Sequence, residues 1–297
     1  MTQDTNNTSV TAKIPPNHKK RVITSLLLFS FVGSAMFSNG GFDLPYLLVG
    51  LLILVSAVAL WEFYGFFKTG LMRIVLSGLG IVLGSGIIYA SMENSPWWIL
   101  GILSFAFFIS SLSFLFTYGC KDQTQTPQLH YILLIGIVYI PVTLQIALHL
   151  NFFEQAIVLS ATFVSDIAAY YAGCLWGDKK IWATVSPKKT WVGSIAALLS
   201  TLLVVFLLGL IFNASGSLSK HISYLLSGVF IAVASQLGDF FESALKRVLN
   251  IKDSSNILPG HGGLLDRIDS LLFTLPMAFF CFNVLPFVVE KVQSWFA

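Results

Sequence analysis

The 24 residues from Pro96 to Gly119 contain no Asp, Glu, Lys or Arg, and comparable uncharged apolar runs recur along most of the chain. A helix rises 1.5 Å per residue and a bilayer core is about 30 Å thick, so roughly 20 apolar residues cross it. Divided at its charged and turn-forming interruptions, the sequence predicts nine spans, near 22–42, 44–61, 74–92, 96–119, 131–150, 155–176, 191–213, 221–240 and 270–289. The predicted fold class is all-α: a polytopic integral membrane protein of about nine transmembrane helices. Charged residues make up 10% of the chain, against about 25% in soluble domains, too few to cover a water-exposed surface. A net charge of +3 gives no sign of a nucleic-acid partner.

Three regions follow from this division. Residues 1–20 are polar, contain Pro15-Pro16, and read as a disordered cytoplasmic tail. Residues 21–150 form the N-terminal transmembrane helices. Residues 151–297 form a C-terminal transmembrane region with two cytoplasmic loops, 177–190 and 241–269, and carry most of the chemistry. The basic stretch before the first span is signal-like, but the run after it is too long and lacks a small-residue cleavage site, so it reads as a retained anchor.

Lys and Arg resist translocation, so their distribution sets the orientation. Alternate segments hold 15 of the 17 basic residues, and the other set holds only Lys220 and Lys291. This asymmetry predicts a cytoplasmic N-terminus and places loops 177–190 and 241–269 on the same cytoplasmic face. In the first half, Gly80 and Gly84 are spaced for close helix packing, and Pro141, Pro276 and Pro286 mark kinks or ends. The first half otherwise shows little chemistry. Cys120, Cys174 and Cys281 fit no disulfide or metal spacing and read as buried small hydrophobes.

Seven of the fourteen acidic residues lie between Asp166 and Asp269. A carboxylate within a span costs at least ~2.5 kcal/mol on insertion scales, so each needs a partner or a purpose. Asp239 and Glu242 share one helical face, as do Asp266 and Asp269. If the pairs meet, a divalent cation would turn their repulsion into attraction. Oxygen ligands of this kind suit Mg²⁺. The alternative is ion pairing at helix ends, Asp266 with Arg267 and Glu242 with Lys246, and the charges alone do not separate the two. Neighbouring residues favour a phosphate site. Ser186, Lys188, Lys189 and Thr190 stand at a helix N-terminus, where unpaired N–H groups attract anions. The turn around His261, Gly262 and Gly263 would let backbone approach a ligand closely.

The run Ser243, Lys246-Arg247, Lys252-Asp253, His261-Gly262-Gly263, Asp266-Arg267 and Asp269 closely resembles the signature of the phosphatidate cytidylyltransferases, or CDP-diacylglycerol synthases. Gln236-Leu237-Gly238-Asp239 leading into Glu242-Ser243, the Ser186–Thr190 segment, and Asp166 with Ala169-Tyr170 and Gly173 are similar to the family too, so the likeness covers roughly 160–270. Val192 departs from the pattern, where the family often has Glu or Gln before the glycine.

The resemblance implies transfer of a cytidylyl group from CTP to phosphatidate, giving CDP-diacylglycerol and pyrophosphate, with Mg²⁺ required. It is compatible with a second cation and with a homodimer. It implies residence in membrane lipid, in the bacterial inner membrane, with the site facing the cytoplasm. Asp239, Asp266 and Asp269 would hold the metal, with Glu242 behind them. Lys188, Lys189, Lys246 and Arg267 would hold phosphates, and Ser186, Thr190 and the backbone near Gly262 would orient them. Asp166, Ser243, Arg247, Lys252, Asp253, His261 and Gly263 complete the expected substrate-binding set. A transferase acting on another lipid acceptor and an ion-coupled transporter are the alternatives.

Overall fold

The computed structural model describes residues 45–119, 130–212, 218–255, 257 and 262–296. The expected tail and the expected span 22–42 lie outside them. Among the described residues, eight helical stretches are long and apolar enough to cross a membrane, matching the other eight expected spans. In chain order the helices are α1 (Pro45–Phe67), α2 (Gly70–Met92), α3 (Pro96–Gly119), α4 (Ile132–Tyr139), α5 (Pro141–Leu144), a 3-10 turn (Gln145–His149), α6 (Phe152–Trp176), α7 (Trp191–Phe212), α8 (Leu218–Val248), α9 (Leu265–Asn283) and α10 (Leu285–Phe296). Among the described residues there is no strand, only an isolated bridge between Lys180 and Thr190.

α7 shows how the bundle holds together in lipid. Gly193, Ala197, Thr201, Val205 and Gly209 recur every four residues and are buried. Ile195, Leu199, Leu203, Leu207 and Ile211 recur at the same spacing and are exposed. Small residues face the protein and large ones face the bilayer, because lipid tails solvate Leu well and the attraction between helices comes from close backbone packing. α8 continues the pattern with Ser223, Ser227, Gly228, Ala232, Ser235 and Gly238 buried. A Cβ on Gly228 would lie 2.7 Å from the Leu202 Cα. α6, α7, α8 and α9 therefore form one tight group.

A second group gathers around Tyr64. Its hydroxyl donates to the Leu133 carbonyl at 3.0 Å, and its ring fills the space left by Gly80 and Gly136, where added Cβ atoms would lie 2.5 and 2.7 Å from it. Gly84 packs on Pro141 at 3.1 Å by the same measure, so the expected Gly80–Gly84 contact face is present. The expected span 131–150 is broken at Ile140, with Pro141 at the first position of α5.

Of the boundaries that differ from the sequence reading, two matter for the site. α8 runs to Val248, eight residues beyond the expected end at 240. α9 begins at Leu265, five before the expected start at 270. The loop expected over 241–269 thus shrinks to the segment between Val248 and Leu265, and its charged residues lie largely on helices. Asn250 ends α8 in the left-handed region at φ 56, and the Ile251 N–H donates back to the Lys246 carbonyl at 2.9 Å, closing the helix with its backbone groups paired.

Candidate active site

α6, α7 and α8 enclose a cavity of about 600 Å³ lined by Asp166, Lys188, Lys189, Thr190, Gln236 and Asp239 among others. The segment from Gly177 to Thr190 is a compact turn. The Trp191 N–H donates to the Lys179 carbonyl at 3.0 Å, the Ile181 N–H to Lys189 at 3.2 Å and the Lys189 N–H to Ser186 at 3.3 Å. Thr190 caps α7, its hydroxyl accepting from the Gly193 N–H at 3.2 Å. This capping carries Lys188 and Lys189 to the cavity wall. Gly193 lets α6 approach, since a Cβ there would lie 2.7 Å from the Ala169 carbonyl oxygen.

Inside the cavity the Lys189 ammonium pairs with Asp239 at 2.5 Å and lies 4.0 Å above the Phe240 ring. Trp182 meets the same ring edge-on at 5.6 Å. Gln236 is fixed by Ser194, whose hydroxyl donates to its carbonyl oxygen. Ser243 donates to Asp239 at 3.4 Å. Asp166 lies within electrostatic reach of Asp239, Lys189 and Arg267. The cavity thus carries acidic, basic and hydroxyl side chains together, with Cys174 on its wall. Cys174 is exposed, contrary to expectation, whereas Cys281 is buried as expected.

A second cluster adjoins it where α8 meets α9. The Lys246 ammonium donates to Glu242 at 2.8 Å and to Asp266 at 2.7 Å. Asp266 also accepts from the backbone N–H groups of Ser254 and Gly263, each at 3.0 Å. Asp269 is buried, accepts from the Ser270 N–H at 2.7 Å, and is in electrostatic contact with Asp239 and Asp166. Gly238 makes the junction feasible: a Cβ there would lie 2.5 Å from the Asp269 carbonyl oxygen.

The expected substrate and metal residues are therefore drawn into one region but sorted differently from the sequence reading. Asp239 faces the cavity with Lys189, while Asp266 is held by Lys246 and backbone. Among the described residues no three Asp, Glu, His or Cys side chains converge into a ready-made metal cage. The donor set still fits Mg²⁺, which takes one or two carboxylates and fills its shell with water and substrate oxygens. Glu242 Oε1 supports the fit, being buried with no hydrogen-bond partner.

Arg247 was expected at substrate, yet its Nε donates to the Val185 carbonyl at 3.2 Å and ties α8 to the 177–190 turn. Ser186 stands in that turn and does not line the cavity. Gly262, at φ +84, and Gly263 were expected to bring backbone to a ligand; they wrap the Asp266 carboxylate instead. Lys252, Asp253 and Arg267 are exposed, and His261 lies outside the described residues.

Glu62 was missed altogether. It is 1% exposed on α1, in the half of the chain that showed little chemistry. Its carboxylate accepts from the Leu264 N–H at 3.0 Å, the Leu265 N–H at 2.8 Å, the Ser254 hydroxyl at 3.2 Å and the Ser255 hydroxyl at 2.5 Å. The expected span 44–61 stopped one residue short of it, and the apolar run Phe63–Phe67 that follows was the available signal that it lies inside the helix; its partners, 192 to 203 residues further along, could not be read from sequence.

Comparison with known proteins adds to this geometry. A model described as the cytidylyltransferase family matches residues 19–285. A phosphatidate cytidylyltransferase of Thermotoga maritima is 40% identical over 136 residues, 45% of this chain and 50% of that protein. One from Bacillus subtilis is 42% identical over 129 residues, 43% of this chain and 45% of that protein. These two alignments thus span half or less of their relatives' length. One from Staphylococcus aureus is 31% identical over 246 residues, 79% of this chain and 91% of that protein.

Proposed function

Since the chain belongs to the cytidylyltransferase family, we propose that it joins CTP to phosphatidate, forming CDP-diacylglycerol and pyrophosphate. The observation that carries this reading is the Lys189–Asp239 pair in a cavity of a membrane-spanning bundle, beside the carboxylates of α9. A phosphate oxygen of the lipid attacks the α-phosphorus of CTP, and the bond to the β-phosphate oxygen breaks as pyrophosphate leaves. The lipid brings its own anionic nucleophile, so the protein's work is to position two anions and offset their charge.

Lys188 and Lys189 hold the triphosphate against the N-terminal end of α7, where free N–H groups and the helix dipole favour anions. Arg267 at the start of α9 engages phosphate oxygens of the lipid headgroup. Asp239 and Asp269 are the residues that would hold Mg²⁺, with Glu242 behind them. When bound, the ion supplies positive charge against phosphate oxygens. Val192, exposed at the first turn of α7, does not line the cavity.

Purified protein with labelled CTP, phosphatidate and Mg²⁺ is expected to form a CDP-lipid and release pyrophosphate; no product across lipid compositions would rule the reading out. Lys189→Met should raise the KM for CTP by roughly 10-fold to 100-fold, the scale of one charged hydrogen bond at ~1.5–3 kcal/mol, as measured by initial rates. An unchanged KM would remove Lys189 from the nucleotide site.

The concentration of Lys and Arg on one set of segments supports a site facing the cytoplasm, and the bacterial relatives support an inner-membrane location. In a background without the native cysteines, Lys179→Cys is expected to react with an impermeant maleimide only from the cytoplasmic side, and Ser217→Cys only from the opposite side. The reverse pattern would overturn the orientation.

A further inference from the structure

We infer that Glu62 is a positioning residue, which fixes the turn that presents Asp266 and Asp269 to the rest of the site. The inference rests on the transferase reading for its kinetic consequence, and on geometry alone for its structural one.

α9 begins without a cap of its own. The residue before it, Leu264, has no side-chain oxygen, and no side-chain cap is made from that position. The first N–H groups of a helix have no partner within the helix, and leaving them unpaired inside a bundle is destabilising. Glu62 pairs two of them from another helix. Its Oε1 takes the Leu264 N–H and the Ser255 hydroxyl, and its Oε2 takes the Leu265 N–H and the Ser254 hydroxyl. Each oxygen thus joins the start of α9 to the segment that follows α8.

The connection continues to the charged cluster. Ser254 donates its hydroxyl to Glu62 and its backbone N–H to Asp266. Gly263, next to the Leu264 amide held by Glu62, donates its own N–H to Asp266. Asp266 in turn receives Lys246. A shift at Glu62 therefore reaches Asp266 by two routes, through Ser254 and through Gly263. Glu62 does not line the Lys189–Asp239 cavity, so its effect is exerted through these neighbours.

Glu62→Gln separates positioning from packing. The shape is kept, but one oxygen becomes an NH₂ group facing an amide N–H and a hydroxyl that both donate to it. Turnover per folded protein is expected to fall about 30-fold, with KM for CTP and phosphatidate within about 2-fold of wild type, because misplacement by about 1 Å is felt in the chemical step. Hydrogen exchange at the amides of Ser254, Gly263, Leu264 and Leu265 should accelerate at least about 10-fold while α6 and α7 keep their protection. Glu62→Asp, which keeps the charge and shortens the reach, should fall between the two and serves as the second variant if Gln impairs folding.

Wild-type turnover in Glu62→Gln with only a lower melting temperature would show a mere stabilising cap and overturn the inference. Unchanged exchange at the four amides would overturn it as well. If wild-type protein makes no CDP-lipid, the transferase reading fails, and the exchange measurement still decides whether Glu62 holds the turn.

Discussion

Lys246→Met is expected to destabilise the bundle by about 3–5 kcal/mol, the range for a buried pair that loses one partner, and to lower turnover at least ~10³-fold. The ammonium sits between Glu242 at 2.8 Å and Asp266 at 2.7 Å, and the three side chains are 13%, 1% and 12% exposed. At 4 Å and an effective dielectric of 20 a unit pair is worth about 4 kcal/mol, and both of these contacts are shorter. Met keeps the unbranched apolar stem, so packing changes little. What remains is two neighbouring carboxylates with no cation between them. Lys246→Met with Glu242→Gln should recover part of the stability by removing one of those charges, without recovering activity. Chemical unfolding in detergent, followed with initial rates, checks both. A Lys246→Met protein of wild-type stability would show that the cluster is not held by this ammonium.

Gly238→Ala is expected to cost about 1–3 kcal/mol, as for other overpacked sites, and to lower kcat at least ~100-fold. The new Cβ would lie 2.5 Å from the Asp269 carbonyl oxygen and 2.9 Å from the Ser270 Cα. Both neighbours are backbone, so no rotamer change relieves the contact, and α8 and α9 must part. Asp239 follows Gly238 in sequence and Asp269 is the residue touched. A packing change is thus delivered directly to the two carboxylates assigned to the metal. A control at Gly78, whose Cβ would meet nothing within 4 Å, should leave rates unchanged. If Gly238→Ala keeps wild-type kcat, the spacing between Asp239 and Asp269 does not limit the reaction.

Hydropathy located the helices well wherever lipid sets the composition. The expected span 96–119 coincides with α3, and 191–213 with α7 to within a residue. It failed where helices leave the apolar pattern but keep their backbone bonds. α8 continues past 240 because Glu242 and Lys246 pair across one turn and Asn250 closes the end. α9 starts early because Glu62 satisfies the amides of Leu264 and Leu265 and Asp266 holds that of Gly263 just before them. The signature residues could be named from the sequence but not sorted. The resemblance implies one metal role for Asp239 and Asp266, yet only the packing of α8 on α9 gives one to Lys189 and the other to Lys246. Arg247 likewise had a charge that suggested phosphate and a location that gave it the Val185 carbonyl.

The bonds of Glu62 also set a constraint in time. The chain emerges from the ribosome N-terminus first, so Glu62 is made 192 to 203 residues before the serines and amides that receive it. At 5–20 residues per second that interval is roughly 10 to 40 s. During it α1 must reside in the bilayer, or wait at its edge, with a carboxylate that costs at least ~2.5 kcal/mol to bury. The carboxylate of α1 has its full set of partners only once Ser254, Ser255 and the start of α9 have been made, so a late part of the fold completes the burial of an early one.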